Sequence, residues 1–175
     1  LKSDLNNASN DWLQICDNID LKSMIFTDYG KNDIKKMKMS PDAVGQIAFQ
    51  LSYRKIHGKP APVYESCSTR GYFRGRTETI RSSSDAMFNF TTSMVTNVAD
   101  KAKSRELMYL AADRHVELAK EAAVGNGIDR HLMAMKIIAT EEGRVDTIPI
   151  FNNPMYSYSS DFLISSSNVT SPELS

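Results

Sequence analysis

Apolar and polar positions along the chain change period several times, and each change marks an element. From Pro62 to Ser68 they alternate, so a period of two puts Tyr64, Ser66 and Ser68 on one face of a strand and Val63, Glu65 and Cys67 on the other. Thr77, Thr79 and Arg81 share a face in the same way, after a Gly71 to Gly75 break that suits a turn or bulge. Between Pro41 and His57 the period becomes helical: Val44, Ile47, Ala48 and Leu51 form a stripe expected to pack on a sheet. That helix opens on Ser40-Pro41-Asp42, a cap, a proline at the first position and an acid in the first turn, and Gly58 stops it.

The remaining elements are read from the same signals. A helix over 104–124 is expected, capped by Ser104, with Ala111, His115, Leu118 and Ala122 on one face. His115 on that stripe reads as a hydrogen-bonded, partly buried residue. A second helix opens at Asp129 as N-cap and runs over 129–142, where Arg130 is out of place because the helix dipole disfavours a cation at that end. The 12, 15, 19 spacing of Trp12, Ile15 and Ile19 predicts a short amphipathic helix packed on something, and Met24-Ile25-Phe26 a short buried strand over 24–28. Residues 147–160 carry a loop signature, and Phe162-Leu163-Ile164 opens a strand over 161–166. Strands interleaved with helices predict an α/β class, a mixed sheet with flanking helices.

Composition narrows the partners. Lys plus Arg (21) balance Asp plus Glu (21), so no whole-molecule field draws nucleic acid or an anionic surface. Any anion site must be local, and Lys31, Lys35, Lys36 and Lys38 crowd just before the Ser40 helix start, where lysines and free backbone N–H groups can converge on phosphate. The alternative is a solvated basic loop. A P-loop is excluded, since Gly30-Lys31 lacks the upstream glycine and is followed by Asn32. No aromatic platform is interleaved with the lysines, so nucleic acid is not expected as a partner. Cys16 and Cys67 are too few for a disulfide framework. No apolar run reaches the roughly 18 to 20 residues of a membrane span. A start at Leu1 rather than Met points to a fragment.

A row of hydroxyls beside an arginine is a good cradle for a carboxylate; on pattern alone the alternative is the solvent-facing side of an edge strand. The run Tyr64-Glu65-Ser66-Cys67-Ser68, followed by Gly75-Arg76-Thr77-Glu78-Thr79-Ile80-Arg81, resembles the choline/carnitine acyltransferase family. The fuller forms, with Ser40-Pro41-Asp42-Ala43-Val44 upstream, are most similar to its palmitoyl type. The resemblance implies part of the coenzyme A-dependent acyltransferase fold related to chloramphenicol acetyltransferase. It makes residues 1–175 a fragment of the C-terminal half of the catalytic region, incomplete at both ends. It also implies coenzyme A or acyl-coenzyme A and carnitine as substrates, with no metal. Gly30, Lys31, Lys35, Lys36, Lys38, Ser40 and Asp42 become the coenzyme A candidates. Tyr64, Ser66, Thr77, Arg130 and Ser165 become the carnitine candidates, Arg130 by its place in Asp129-Arg130-His131-Leu132.

By the same resemblance Ser165-Ser166-Ser167, leading into Asn168-Val169-Thr170-Ser171-Pro172, align with a Ser-Thr-Ser motif whose middle Thr is here Ser166. Ser167 is then the donor at the oxyanion and beside the trimethylammonium. The family's base is a histidine of the upstream half, and none of His57, His115 or His131 stands in that motif. The Phe-Gly-Pro-Val segment that shapes the acyl pocket is absent too, so chain length is not read from pocket residues. The expectation is a carnitine O-acyltransferase of long-chain type, with this piece alone inactive. The alternatives are a noncatalytic half-site, or an acetyl or octanoyl type. A mitochondrial site at the matrix side of the inner membrane is implied, with the peroxisome as alternative and membrane association of the full-length protein left open.

Overall fold

A computed structural model describes residues 1–96 and 100–167, which divide into two units, 1–30 and the residues from 31 onward. The first unit is α1 (Lys2–Asp17) followed by a stretch to Gly30 that forms neither helix nor strand. The helix expected around Trp12 is present but starts ten residues earlier, and none of its residues is buried. The strand expected over 24–28 is not formed: Met24 and Ile25 are 84% and 91% exposed. An apolar triplet becomes a strand only where a neighbour takes its N–H and C=O groups, and no strand pairs with it among the described residues. Phe26 and Tyr29 instead pack edge to face, with ring centroids 4.8 Å apart.

The second unit runs α2 (Lys31–Lys36), α3 (Pro41–His57), β1 (Val63–Ser68), β2 (Thr77–Ile80), α4 (Asp85–Thr96), α5 (Lys101–Ala123), α6 (Asp129–Glu141), a 3-10 turn (Val145–Thr147), α7 (Pro154–Ser160) and β3 (Ile164–Ser166). The class is α/β, with a small mixed sheet flanked by helices. Strand order is β2-β1-β3, with β1 antiparallel to β2 and parallel to β3. The largest core is helical rather than sheet-centred. Ile34, Met39, Ala43, Ile47, Met87, Phe90, Ala111 and Ala112 close around the α3, α4 and α5 contacts. The α3 stripe therefore packs on α4 and α5 instead of the expected sheet, and Ala48 is exposed. α3 still reaches the sheet side through two buried glutamines: Gln46 bonds Ser166, and Gln50 holds both backbone groups of Ala61 just before β1.

Three boundaries moved, each for a capping reason. α5 begins at Lys101 because Asp100 accepts from the Lys103 N–H at 2.7 Å, so Ser104 lies inside the helix rather than at its cap. α6 has Ile128 before it with no side-chain cap, since the Asp129 carboxylate is engaged by Arg81. The 147–160 loop contains α7, opened by Asn153 accepting from Met155 N at 2.8 Å with Pro154 in the first turn. The Gly71 to Gly75 turn is as expected: Tyr72 N bonds Thr69 O at 3.0 Å and Gly75 N bonds Tyr72 O at 2.8 Å. A Cβ at Gly75 would collide with the Thr69 carbonyl oxygen, so only glycine fits there.

Candidate functional site

β1 and β2 present their alternate residues as the sequence pattern requires. Ser66 faces Thr79 and Ser68 faces Thr77 in the antiparallel register, and Ser165 of β3 lies beside Tyr64. Residues paired across a ladder point to the same side, so Tyr64, Ser66, Thr77, Thr79 and Ser165 share one face. Arg130 closes over it from the start of α6. Its Nη2 donates to Tyr64 Oη at 2.8 Å and to Thr77 Oγ1 at 3.2 Å, while Nε donates to the Thr77 carbonyl at 3.2 Å. The guanidinium carbon sits 5.5 Å from the Tyr64 ring centroid. Tyr64 is braced on its other side by Phe162, whose ring lies edge-on at 5.6 Å.

The arginine that completes this cradle is not the one strand parity selects. Arg81 gives a two-pronged pair to Asp129, 2.5 Å and 3.0 Å, and its Nη1 bonds the Ser159 carbonyl at 2.7 Å. Its charge is thereby matched, and what it does is fix the first residue of α6. That places the next residue, Arg130, above Tyr64 and Thr77, against the dipole preference noted from sequence. Gly127 makes the approach possible, since a Cβ there would run into the Glu78 side chain.

The opposite face of β1 is buried and differently built. Val63 and Glu65 are 2% and 4% exposed. His115 Nε2 is 2.9 Å from Glu65 Oε2, which also accepts from the Ser82 hydroxyl. Asp42 Oδ2 lies 4.0 Å from the same His115 nitrogen. Burial pushes the Glu65 carboxyl up, but its hydrogen bonds with His115 and Ser82 and the His115 charge outweigh that, holding it below the usual glutamate range. Asp42, Glu65 and His115 offer one ligand atom each within 4.8 Å of one another, the one such grouping among the described residues. Next to them, Ser166 exchanges hydrogen bonds with Gln46 at 2.9 Å and 3.2 Å, so the middle serine of the Ser165 to Ser167 run is buried and satisfied.

The other singled-out residues are placed less tightly. Lys31, Lys35, Lys36 and Lys38 are exposed along α2 and the turn after it, anchored by buried Ile34. Lys36 pairs with Asp33 at 3.0 Å, and Lys38 takes a left-handed conformation with φ 59°. Ser40 caps α3, accepting from the Ala43 N–H at 3.3 Å, and Asp42 in that first turn joins the His115 cluster. Gly30 belongs to the first unit. Ser165 and Ser167 are exposed, and the Asn168 to Pro172 continuation of their motif lies outside the described residues. His57 and His131 are exposed, His57 stacked near Tyr53 at 4.3 Å. A cleft lined by Arg81, Ser84, Asn89, Leu107 and Arg114 contains none of Tyr64, Ser66, Thr77 or Arg130. Glu65 and Ser82 were not singled out as site residues from sequence. The signal that finds Glu65 is an ionisable residue on the buried face of a strand, which needs a partner.

Comparison with known proteins agrees with the motifs. The family model for choline/carnitine O-acyltransferase matches residues 1–175. The chain is 33% identical over 174 residues to mitochondrial carnitine O-palmitoyltransferase 2 of Xenopus tropicalis, covering 98% of this chain and 26% of that protein. It is 32% identical over 170 residues to peroxisomal carnitine O-octanoyltransferase of Bos taurus, covering 95% and 28%. Mitochondrial carnitine O-acetyltransferase of Saccharomyces cerevisiae is 38% identical over 153 residues, covering 87% and 22%. The chain belongs to the choline/carnitine O-acyltransferase family. It spans about a quarter of the length of these relatives.

Proposed function

We propose that this chain is the coenzyme A- and carnitine-binding part of a carnitine O-acyltransferase, a fragment of the C-terminal half of its catalytic region. The observation that supports this reading is the convergence of Arg130, Tyr64 and Thr77 on one sheet face. A guanidinium flanked by two hydroxyls complements a carboxylate, which carnitine has and choline lacks. In the reaction the carnitine hydroxyl attacks the thioester carbonyl as a base takes its proton, the tetrahedral oxyanion collapses, and the coenzyme A thiolate leaves and is protonated. Arg130, Tyr64, Thr77, Ser66 and Ser165 hold the carnitine carboxylate end, and Ser167 serves the oxyanion and trimethylammonium end. Lys31, Lys35, Lys36, Lys38 and Ser40, with Gly30 and Asp42, serve coenzyme A.

The base comes from outside residues 1–175. His57 and His131 are exposed but lack the family's histidine motif, and His115 is sealed on the opposite face of β1 from the wall. The acyl group is long-chain, the palmitoyl type, on motif similarity; relatives of palmitoyl, octanoyl and acetyl type match comparably. Mitochondrial and peroxisomal names both occur among them, and the matrix side of the inner membrane is the location this reading assigns. Among the described residues no helix is long and apolar enough to cross a membrane.

The test is a thiol-release assay on the full-length protein that contains this chain, with palmitoyl-, octanoyl- and acetyl-coenzyme A and carnitine. Carnitine-dependent thiol release, strongest with the palmitoyl donor, is expected. No release with any acyl chain would sink the proposal, and residues 1–175 alone are expected to give none.

A further inference from the structure

Resting on the reading that the outward face of β1 holds carnitine, we propose that His115 is a positioning residue for that face, acting through Glu65. Four elements meet at this point: α5 brings His115, β1 brings Glu65, the residue after β2's exit arginine brings Ser82, and the first turn of α3 brings Asp42. His115, Glu65 and Ser82 are 2%, 4% and 1% exposed. None of them touches the wall, because strand alternation turns Glu65 away from Tyr64 and Ser66. The chemistry proposed above uses none of the three.

Their value is geometric. Glu65 lies between Tyr64 and Ser66 in the chain, so whatever fixes its carboxylate fixes the pleat at the point where the wall hydroxyls emerge. The His115 Nε2 contact at 2.9 Å does this from the longest helix of the fold. The Glu65 carboxylate is an acceptor only, so Nε2 supplies the proton of that bond. Removing the imidazole takes away the donor that ties the buried Glu65 carboxylate of β1 to α5 and leaves that buried charge under-satisfied. Relieving it would shift β1 relative to α5. Arg130 holds Tyr64 at 2.8 Å and Thr77 at 3.2 Å, and hydrogen bonds of that kind do not survive a displacement of a few tenths of an ångström without loss. The same arrangement predicts that a neutral donor at 115 suffices, since the bond and not a proton transfer is what matters.

The experiment is steady-state kinetics on the full-length protein, with carnitine and palmitoyl-coenzyme A varied in turn. In His115→Leu we expect the carnitine KM to rise about fivefold or more, with kcat and the acyl-coenzyme A KM within about twofold of wild type. His115→Gln, which restores an N–H donor, brings the carnitine KM back towards wild type. A lowered melting temperature with no selective change in carnitine KM would overturn the inference, since that is what a histidine that merely fills the core would give. Should the leucine variant fail to fold, Glu65→Gln and His115→Ala, which removes the donor, assayed singly and together decide the matter. A carnitine KM raised by Glu65→Gln, and not raised further in the double variant, supports the coupling; independent effects or none overturn it. A wild-type protein that does not saturate with carnitine overturns the function proposed above as well, and is distinguishable because it fails before any variant is made.

Discussion

The two stretches that resemblance assigns to substrates are built in opposite ways. The wall of the sheet face gathers residues 64, 77 and 130, separated by up to 66 positions, into hydrogen-bond contact on a three-stranded sheet. The lysine stretch keeps its candidates within a dozen positions, on a six-residue helix and the turn after it, with long exposed side chains. A wall whose side chains are already bonded to one another is organised before a ligand arrives. The lysines would have to be ordered by the phosphates themselves, and each would then give up rotamer freedom to bind. The difference teaches where selectivity would reside on the proposed reading: in fixed geometry at the wall, and in charge at the lysines.

The sharpest way to break this contrast is to remove the guanidinium. Arg130→Ala deletes three donor contacts to Tyr64 and Thr77 at once. A hydrogen bond to a charged group is worth roughly 1.5 to 3 kcal/mol, so we expect kcat/KM for carnitine to fall roughly ten- to hundredfold. The acyl-coenzyme A KM should stay near wild type. Equal losses for both substrates would show that Arg130 supports the sheet rather than a ligand.

That result also bears on what the chain discloses before folding. Alternation placed Tyr64, Ser66, Thr77 and Thr79 on one face, because a period of two is local and survives any tertiary context. The same parity nominated Arg81, and failed, because it says nothing of who sits opposite: Asp129, 48 residues on, takes that guanidinium. Arg130 was singled out by its conflict with the helix dipole and by the family motif, and the Arg81–Asp129 pair is the physical reason it can stay there. Capping rules placed the start of α3 but not those of α5 and α6, where Ser104 and Asp129 are not the caps. Ser40-Pro41 opened α3, and the identical logic at Asn153-Pro154 would have found α7. The fold over 24–28 was not legible, since Met24-Ile25-Phe26 has strand composition and finds no strand to pair with. The Glu65–His115 contact spans 50 residues and leaves only an indirect trace, two ionisable groups on faces that pattern calls buried.

A second way to sharpen the contrast is salt. Lys31→Ala with Lys35→Ala removes two exposed charges from the lysine stretch, and exposed pairs contribute about 0.2 to 1 kcal/mol each. The acyl-coenzyme A KM should rise roughly two- to tenfold at low ionic strength, with little change in the carnitine KM. At about 0.5 M salt the wild type and the variant should converge, because the screening length shrinks to a few ångströms. Convergence is not expected for Arg130→Ala, whose partners are bonded at short range. A lysine variant whose defect ignores salt would mean that the stretch is as geometrically organised as the wall.

The smallest expected effect lies beneath the wall and reads out as stability. Burial raises the Glu65 carboxyl, but hydrogen bonding with His115 and Ser82 and the His115 charge leave it lowered overall. A group whose folded pKa is depressed stabilises the fold above its unfolded pKa, and that contribution is lost as pH falls through the folded value. The window therefore opens at the ordinary glutamate range, about 4.3, and extends below it. Thermal melts of wild type and Glu65→Gln across that range read the contribution of the Glu65 cluster, because carboxylates remote from it titrate alike in both. The stability difference between them should be largest near neutral pH and narrow as the wild-type carboxylate takes up its proton. If the difference stays constant down to about pH 3, the glutamine costs only packing, and the His115 contact holds Glu65 by shape and not by charge.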